Sequence, residues 1–264
     1  MHHVDRYERL STLLDLLGQR GRVDVDDLAA ELDVSAATIR RDLDHLAEQQ
    51  LLTRTRGGAV ANSVAYDLPL RYKSARHASE KERIGRAAAA SVARGSVIGL
   101  NGGTTTTEIA RALVIRPDLA TLADEPAVTL VTNALNIAGE LAVRPHVKLV
   151  LTGGVARPQS FELTGPLATR VLAEITMDVV FLGVDAVDPV QGAYAHHEGE
   201  ASINRLMAER ARRIVVAADS SKLGRHAFAR ICPTSSIDLL ITDEGAPAEL
   251  VKAFEHEGVA VETV

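Results

Sequence analysis

The sequence predicts an α/β fold: a mainly parallel open sheet with helices on both faces, preceded by a small N-terminal unit of three short helices and a hairpin. Three observations predict it. Short β-branched or Leu-rich runs recur from Val97 to Val261 with helix-length segments between them, as strands buried on both faces do. Most of these runs end in a polar or glycine turn. The first 60 residues instead carry apolar stripes at helical spacing. With 264 residues, 46% of them hydrophobic, the chain is long enough for two unequal domains, read as 1–60 and 80–264 with a linker over 61–79.

The elements follow in order. Tyr7, Leu10, Leu14 and Leu17 share one helical face, which stops at Gly18 and Gly21. Asp24 is placed to cap a second, acidic helix carrying Val25, Leu28, Ala29 and Leu32. After a tight Asp33-Val34 turn, Ser35 caps a third helix that buries Ile39, Leu43 and Leu46. That spacing is the spacing of a helix-turn-helix. From Ala61 to Ser79 polar residues and Pro69 break the pattern, hence the linker. A helix over Ile84 to Val92 then leads to the strand Val97 to Leu100, the loop Asn101-Gly102-Gly103 and a helix from Thr105 to Leu113. Further strands are read at Val128 to Val131, Val147 to Leu151, Val179 to Leu182, Ile214 to Ala218, Leu239 to Ile241 and Val259 to Val261. Ligands of such sheets bind at the carboxyl ends of the strands, where the polar turns fall.

Composition narrows the function classes. A formal charge of -6 does not advertise nucleic acid, so a DNA reader needs a local basic surface. The single cysteine, Cys232, excludes a disulfide framework and a cysteine-based zinc finger, and fits a reducing cytoplasm. No apolar run approaches the roughly 18 residues of a membrane span, and Asp5, Glu8 and Asp15 stand where a signal peptide is basic then apolar, so a soluble, unprocessed chain is expected. Aromatics are 3% with no Trp, which argues against base stacking and leaves groove reading.

The third helix supplies the local basic surface. With Ile39 facing the core, a 100° step per residue points Arg41 almost opposite and Arg40 a quarter-turn away. Thr38, Ala37 and His45 share that outer surface, and Ser35 with the first-turn amides is placed to meet a phosphate. Arg54 and Arg56 flank the next element, where Gly57-Gly58 allows a tight turn beside a duplex. The plain alternative is a solvated arginine face. The combination of three helices, glycine-paired hairpin and four arginines favours DNA binding instead. The runs Val34-Ser35-Ala36-Ala37-Thr38-Ile39-Arg40-Arg41-Asp42-Leu43 and Leu51-Leu52-Thr53-Arg54-Thr55-Arg56-Gly57-Gly58-Ala59 resemble the signature of the DeoR family of sugar-metabolism regulators, a winged helix-turn-helix. Gln50 departs from the glycine frequent there.

The second candidate site is an anion cradle. Asn101-Gly102-Gly103-Thr104-Thr105-Thr106 follows a strand and opens a helix, offering amides, hydroxyls and a positive helix end to a phosphate. It is neither a nucleoside-triphosphate loop nor a dinucleotide fingerprint. Lys222, in Asp219-Ser220-Ser221-Lys222, adds a positive charge to the same anion if the two loops adjoin. Thr132, Asn133, Gly153, Gly154, Arg157 and Asp185 are candidates to bond sugar hydroxyls, although each alone is ordinary turn chemistry. The stretch from Glu80-Lys81 to Thr242-Asp243 is similar to the effector domain of the same family, which implies a fold like ribose-5-phosphate isomerase and a phosphorylated-sugar effector. Asn101 and His196-His197 depart from its usual Asp and Pro-Asn. The two histidines raise the question of a metal, but no cysteine or spaced carboxylate set supports one.

The rival reading is a working sugar-phosphate isomerase with a fused DNA-binding domain. Such chemistry needs a carboxylate base. Where the isomerase carries Glu-Lys this chain has Arg205-Leu206, and Arg205 stays protonated, leaving only Glu198 or Glu200 as substitutes. The expectation is therefore a regulator with no catalytic residue, cofactor or metal. Its expected partners are a double-stranded DNA operator and a small phosphorylated sugar, with no membrane. Two recognition helices must meet successive major grooves, so a homo-oligomer is expected.

Overall fold

The computed structural model describes residues 6–49, 51–61, 70–73, 76–120 and 126–264, and the chain divides into compact units over 1–76 and 77–264. Gln50, the side chain of Tyr7 and most of the segment read as linker lie outside the described residues.

The first unit contains α1 (Arg6–Arg20), β1 (Arg22–Asp24), α2 (Val25–Glu31), α3 (Ala36–Glu48), β2 (Leu52–Thr55), β3 (Gly58–Ala61) and α4 (Leu70–Lys73). Helix α1 runs through Gly18 and ends before Gly21, whose φ is 70°. Asp24 accepts from Asp26 N and so caps α2, as its position predicts. Asp33 then takes φ 50°, a left-handed turn that Asp tolerates, and Ser35 caps α3 through Thr38 N. Leu10, Leu13, Leu14, Leu17, Leu28, Ile39, Leu43 and Leu46 fuse into one core with Val23, Leu52 and Ala59. The wing is an antiparallel sheet of order β1-β3-β2. Here the reading needed extension: the hairpin acquires a third strand, and α4 falls in the expected linker and packs on α1.

The second unit opens with α5 (Ala78–Ala90), β4 (Val97–Leu100), α6 (Thr104–Val114), α7 (Pro117–Ala120), β5 (Val128–Thr132), α8 (Leu135–Leu141) and β6 (Val147–Leu151). There follow β7 (Val155–Ala156), β8 (Leu163–Thr164), α9 (Pro166–Ala173), β9 (Val179–Gly183), β10 (Ala186–Asp188), β11 (Gly192–Ala195), α10 (Glu198–Glu209) and β12 (Ile214–Ala217). The chain closes with β13 (Ala229–Cys232), β14 (Leu239–Thr242), α11 (Ala248–His256) and β15 (Ala260–Thr263). Seven parallel strands form the main sheet in the order β15-β14-β12-β9-β4-β5-β6. Helices cover both faces. Ile84, Ile109, Leu113 and Ile137 pack on Leu100, Leu130, Phe181 and Val215, while Leu172, Ile203, Met207 and Phe254 pack on Val180, Leu182, Val216 and Leu240.

The strand order reverses at β4: the chain steps to β5 and β6 on one side, then returns to β9, β12, β14 and β15 on the other. A crevice at the carboxyl ends of β4 and β9 is the ligand position of such sheets. Short strands outside the reading complete the unit: the β7–β8 hairpin and an antiparallel sheet β10-β11-β13.

Candidate functional site

In the first unit, α3 presents Arg40 and Arg41 to solvent, opposite Ile39 at 0% exposure. Arg41 Nε donates to Ala37 O at 3.2 Å, leaving its terminal nitrogens outward, and Arg40 has no intramolecular partner among the described residues. At the tip of the β2–β3 hairpin, Arg56 is exposed and Gly57 takes φ 88°. The fourth arginine is engaged on the same side of α3: Arg54 Nε donates to Asp44 at 2.7 Å, one turn beyond Arg40 and Arg41, and its terminal nitrogen donates to Gly58 O, tying α3 to the wing. Arg54 is thus a strut beside the two outward arginines. Ser35 and Thr38 are also committed, their hydroxyls lying 2.9 Å apart and Ser35 Oγ accepting from Thr38 N. Sequence reading passed over Asp42. It is 3% exposed and accepts from Arg9 Nε at 2.6 Å, locking α1 to α3 and fixing which way Arg40 and Arg41 face. Its place within the Arg40-Arg41-Asp42 run was the available signal.

In the second unit the glycine loop lies at the end of β4, as expected. Gly103 precedes α6 with φ 144°, a conformation open to glycine. The hydroxyls of Thr106 and Thr107 bond back to Gly103 O at 3.1 and 2.7 Å, and Thr106 is wholly buried. Thr106 is thus a helix brace and not an anion ligand. Thr104 and Thr105 keep their hydroxyls unengaged among the described residues. Asn101 has a structural role as well: its Nδ2 donates to Gly183 O at 2.9 Å and its Oδ1 accepts from Gly183 N at 2.8 Å, so the carboxamide extends the β4–β9 ladder with one of its two hydrogens and one of its two lone pairs.

The remaining candidates divide similarly. Thr132 is buried and accepts from Ala134 N, which makes it a turn residue. Gly153 and Gly154 have φ of 71° and 124°, and a Cβ on Gly154 would stand 2.6 Å from Thr164 O, so both serve the β7–β8 hairpin. Lys222 ends a 3-10 turn after β12, half-buried. Strand β9 lies between β12 and β4, and the residues after Lys222 cross toward it: Leu223 bridges to Val187 of β10 and Gly224 N donates to Val187 O at 2.8 Å. Asp185 occupies the β9–β10 turn and accepts from His196 N at 2.9 Å. His197 Nδ1 caps α10 through Gly199 N.

Sequence reading missed the crevice's acid. Glu162, 4% exposed on the strand end before β8, lies directly against Gly102: a Cβ there would stand 2.3 Å from Glu162 Cγ. Asn133 and Asn204 donate to its Oε2 at 3.0 and 3.4 Å. Burial, then the neighbouring charges of Glu200 and Asp185, push the Glu162 carboxyl up to about 8 against the lowering effect of the two amides. Glu200 itself is paired with Arg157 at 3.0 Å. No group of His, Cys, Asp and Glu among the described residues is arranged to hold a metal ion.

Residues 76–244 match the family described as the DeoR C-terminal sensor domain, and residues 9–65 match the DeoR-like helix-turn-helix domain. The chain belongs to the DeoR family. A protein assigned as the aga operon transcriptional repressor of Escherichia coli O157:H7 is 37% identical over 257 residues, 96% of this chain and 92% of that one. The HTH-type transcriptional regulator GlpR of Haloferax volcanii is 34% identical over 96% of each chain. The glycerol-3-phosphate regulon repressor of E. coli K12 is 29% identical over 97% of this chain and 98% of its own. Among solved structures, a ribose 5-phosphate isomerase A from Methanocaldococcus jannaschii is similar over 56% of this chain and 55% of that one, with 23% identity and a TM-score of 0.41.

As a DeoR-family member the chain is a transcriptional repressor with a sensor domain, and its curated relatives are regulators, not enzymes. Arg205 is pinned to β13, its Nε donating to Ile231 O at 3.2 Å and a terminal nitrogen to Arg230 O.

Proposed function

We propose that this DeoR-family repressor holds a carbohydrate-utilisation operon shut and releases its operator when a phosphorylated sugar enters the crevice between β4 and β9. The observation that carries the reading is the Gly102-Gly103 loop. It opens α6 with no side-chain cap, so the first-turn amides stand beside the unengaged hydroxyls of Thr104 and Thr105, and an anion is the guest such a helix start favours. Asp185 follows β9, the strand next to the glycine loop's β4, and Lys222 follows β12, one strand further on.

On the DNA side, Arg40 and Arg41 enter the major groove on α3 and Arg56 follows the backbone from the wing. A symmetric homo-oligomer in the cytoplasm supplies the paired helices that a two-fold operator needs. One experiment tests both halves. Gel shifts of the operator region with increasing sugar phosphate, run in parallel with thermal shifts, should show release by the same compound that raises Tm. Arg41→Ala should weaken operator binding while leaving the melting curve and the ligand shift in place. A panel of sugar phosphates that neither shifts Tm nor releases DNA would remove the sensor half of the reading.

A further inference from the structure

Glu162 differs from the other buried carboxylates. Asp42 is neutralised by Arg9 and Glu200 by Arg157, while Asp219 and Asp243 accept backbone amides from Ser221, Ser220 and Gly245. Glu162 receives only two neutral carboxamides, and no basic side chain among the described residues pairs with it. The charged groups that face it are Glu200 on α10 and Asp185 on the β9–β10 turn, with Arg157 behind Glu200. An acid so placed is held protonated at neutral pH, and a protonated carboxyl donates a hydrogen bond where a carboxylate only accepts.

We propose that Glu162, with Asn133 and Asn204, forms the subsite that reads the sugar body of the effector, the Glu162 carboxyl meeting a ligand oxygen. The inference rests on the preceding reading that a phosphorylated sugar occupies this crevice. Three observations carry it. First, Glu162 Oε1 lies within 2.6 Å of the Cβ position of Gly102, so it borders the loop that would hold the phosphate, and the carbons next to that phosphate pass over it. Second, the carboxamide oxygens of Asn133 and Asn204, residues 0% and 1% exposed and already aimed at Glu162 through their nitrogens, have no hydrogen-bond partner. Buried acceptors are normally satisfied, and a polyol supplies the missing donors. Third, an ionised carboxylate beside a phosphate dianion would repel it, whereas the neutral acid does not. The subsite therefore fits a phosphorylated sugar or sugar alcohol with hydroxyls close to its phosphate, and discriminates against inorganic phosphate.

The test is calorimetric titration of the full chain with ribose 5-phosphate, glucose 6-phosphate, galactosamine 6-phosphate and inorganic phosphate between pH 6.5 and 9.5. Above pH 8 the phosphate's own ionisation, near 6, is complete, so any remaining pH dependence belongs to the protein. For the best sugar phosphate the wild type should lose about tenfold in affinity per pH unit above roughly 8, the slope of one linked proton. Glu162→Gln, permanently neutral, should bind with a flat profile over that range. Asn204→Ala should cut the ratio of sugar-phosphate to inorganic-phosphate affinity about tenfold, a change that general loosening of the fold does not produce. A Glu162→Gln profile as steep as the wild type's, or an unaltered ratio in Asn204→Ala, overturns this inference and leaves the sensor reading standing. A folded wild type that binds none of the sugar phosphates overturns both.

Discussion

Asn101 does at one position what a carboxylate cannot do: it gives a hydrogen bond to Gly183 O and takes one from Gly183 N. Asn101→Asp therefore turns a donor–acceptor contact into two oxygens facing each other. The expected cost is about 1–3 kcal/mol at pH 7, read from urea unfolding, and it should shrink at low pH as the new carboxyl takes a proton. Glu162 carries a second pH dependence, of known sign. Its folded value of about 8 lies above the ordinary 4.5, so between those values the folded chain keeps a proton that the unfolded chain has released. Stability from this group is greatest below about pH 4.5 and is lost as pH rises toward 8. Glu162→Gln removes the titration, so its Tm should exceed the wild type's by at least about 3 °C at pH 8 and match it near pH 4. Equal Tm values at both pH values would mean the carboxyl titrates normally. Neither contact was legible in the sequence. Asn101 and Gly183 are 82 residues apart, and in the run Phe161-Glu162-Leu163 nothing marks the acid as buried.

At the scale of elements the sequence was more explicit, for a physical reason. The inner strands of the main sheet are covered on both faces and so are apolar nearly throughout, and β4, β5, β9, β12 and β14 fall on the runs that composition picks out, while the edge strands β6 and β15 carry exposed Lys148 and Glu262 and β15 only overlaps its run. The strands that escaped are short or built from small residues. Gly192-Ala193-Tyr194-Ala195 offers no alternation to read, and the two-residue β7 and β8 are set by Gly154 and a turn instead of by pattern. The wing shows the same limit. Sequence places the hairpin at Gly57-Gly58, yet the need for the second glycine comes from β1: a Cβ on Gly58 would stand 2.0 Å from Val23 O. Gly58→Ala must push β1 off β3, so it should lower Tm and weaken operator binding together. Arg41→Ala, in contrast, should affect binding alone. A Gly58→Ala protein with wild-type Tm and wild-type gel shifts would show that the three-stranded wing is dispensable.

For the whole molecule, the sensor unit and the DNA unit have separate cores, and a ligand shifts an equilibrium between states only by its differential affinity for them. Thermodynamics then fixes a result that needs no knowledge of the path. If sugar phosphate weakens operator affinity by some factor, operator must weaken sugar-phosphate affinity by the same factor, a coupling typically of about 1–3 kcal/mol or roughly 5- to 150-fold. Titrating the effector into free protein and into protein saturated with a two-site operator should give dissociation constants whose ratio equals the effector-induced loss of DNA affinity. Both must be measured at one salt concentration, because phosphate contacts make the DNA term steeply salt-dependent. Glu162 sharpens this test. If effector binding requires its proton, the effector response becomes pH-sensitive above about 8. Raising pH from 7.5 to 9 should therefore blunt release by a fixed effector concentration while leaving effector-free operator binding nearly level. If operator binding itself collapsed over that interval without effector, the pH-sensitive group would have to be sought in the DNA unit.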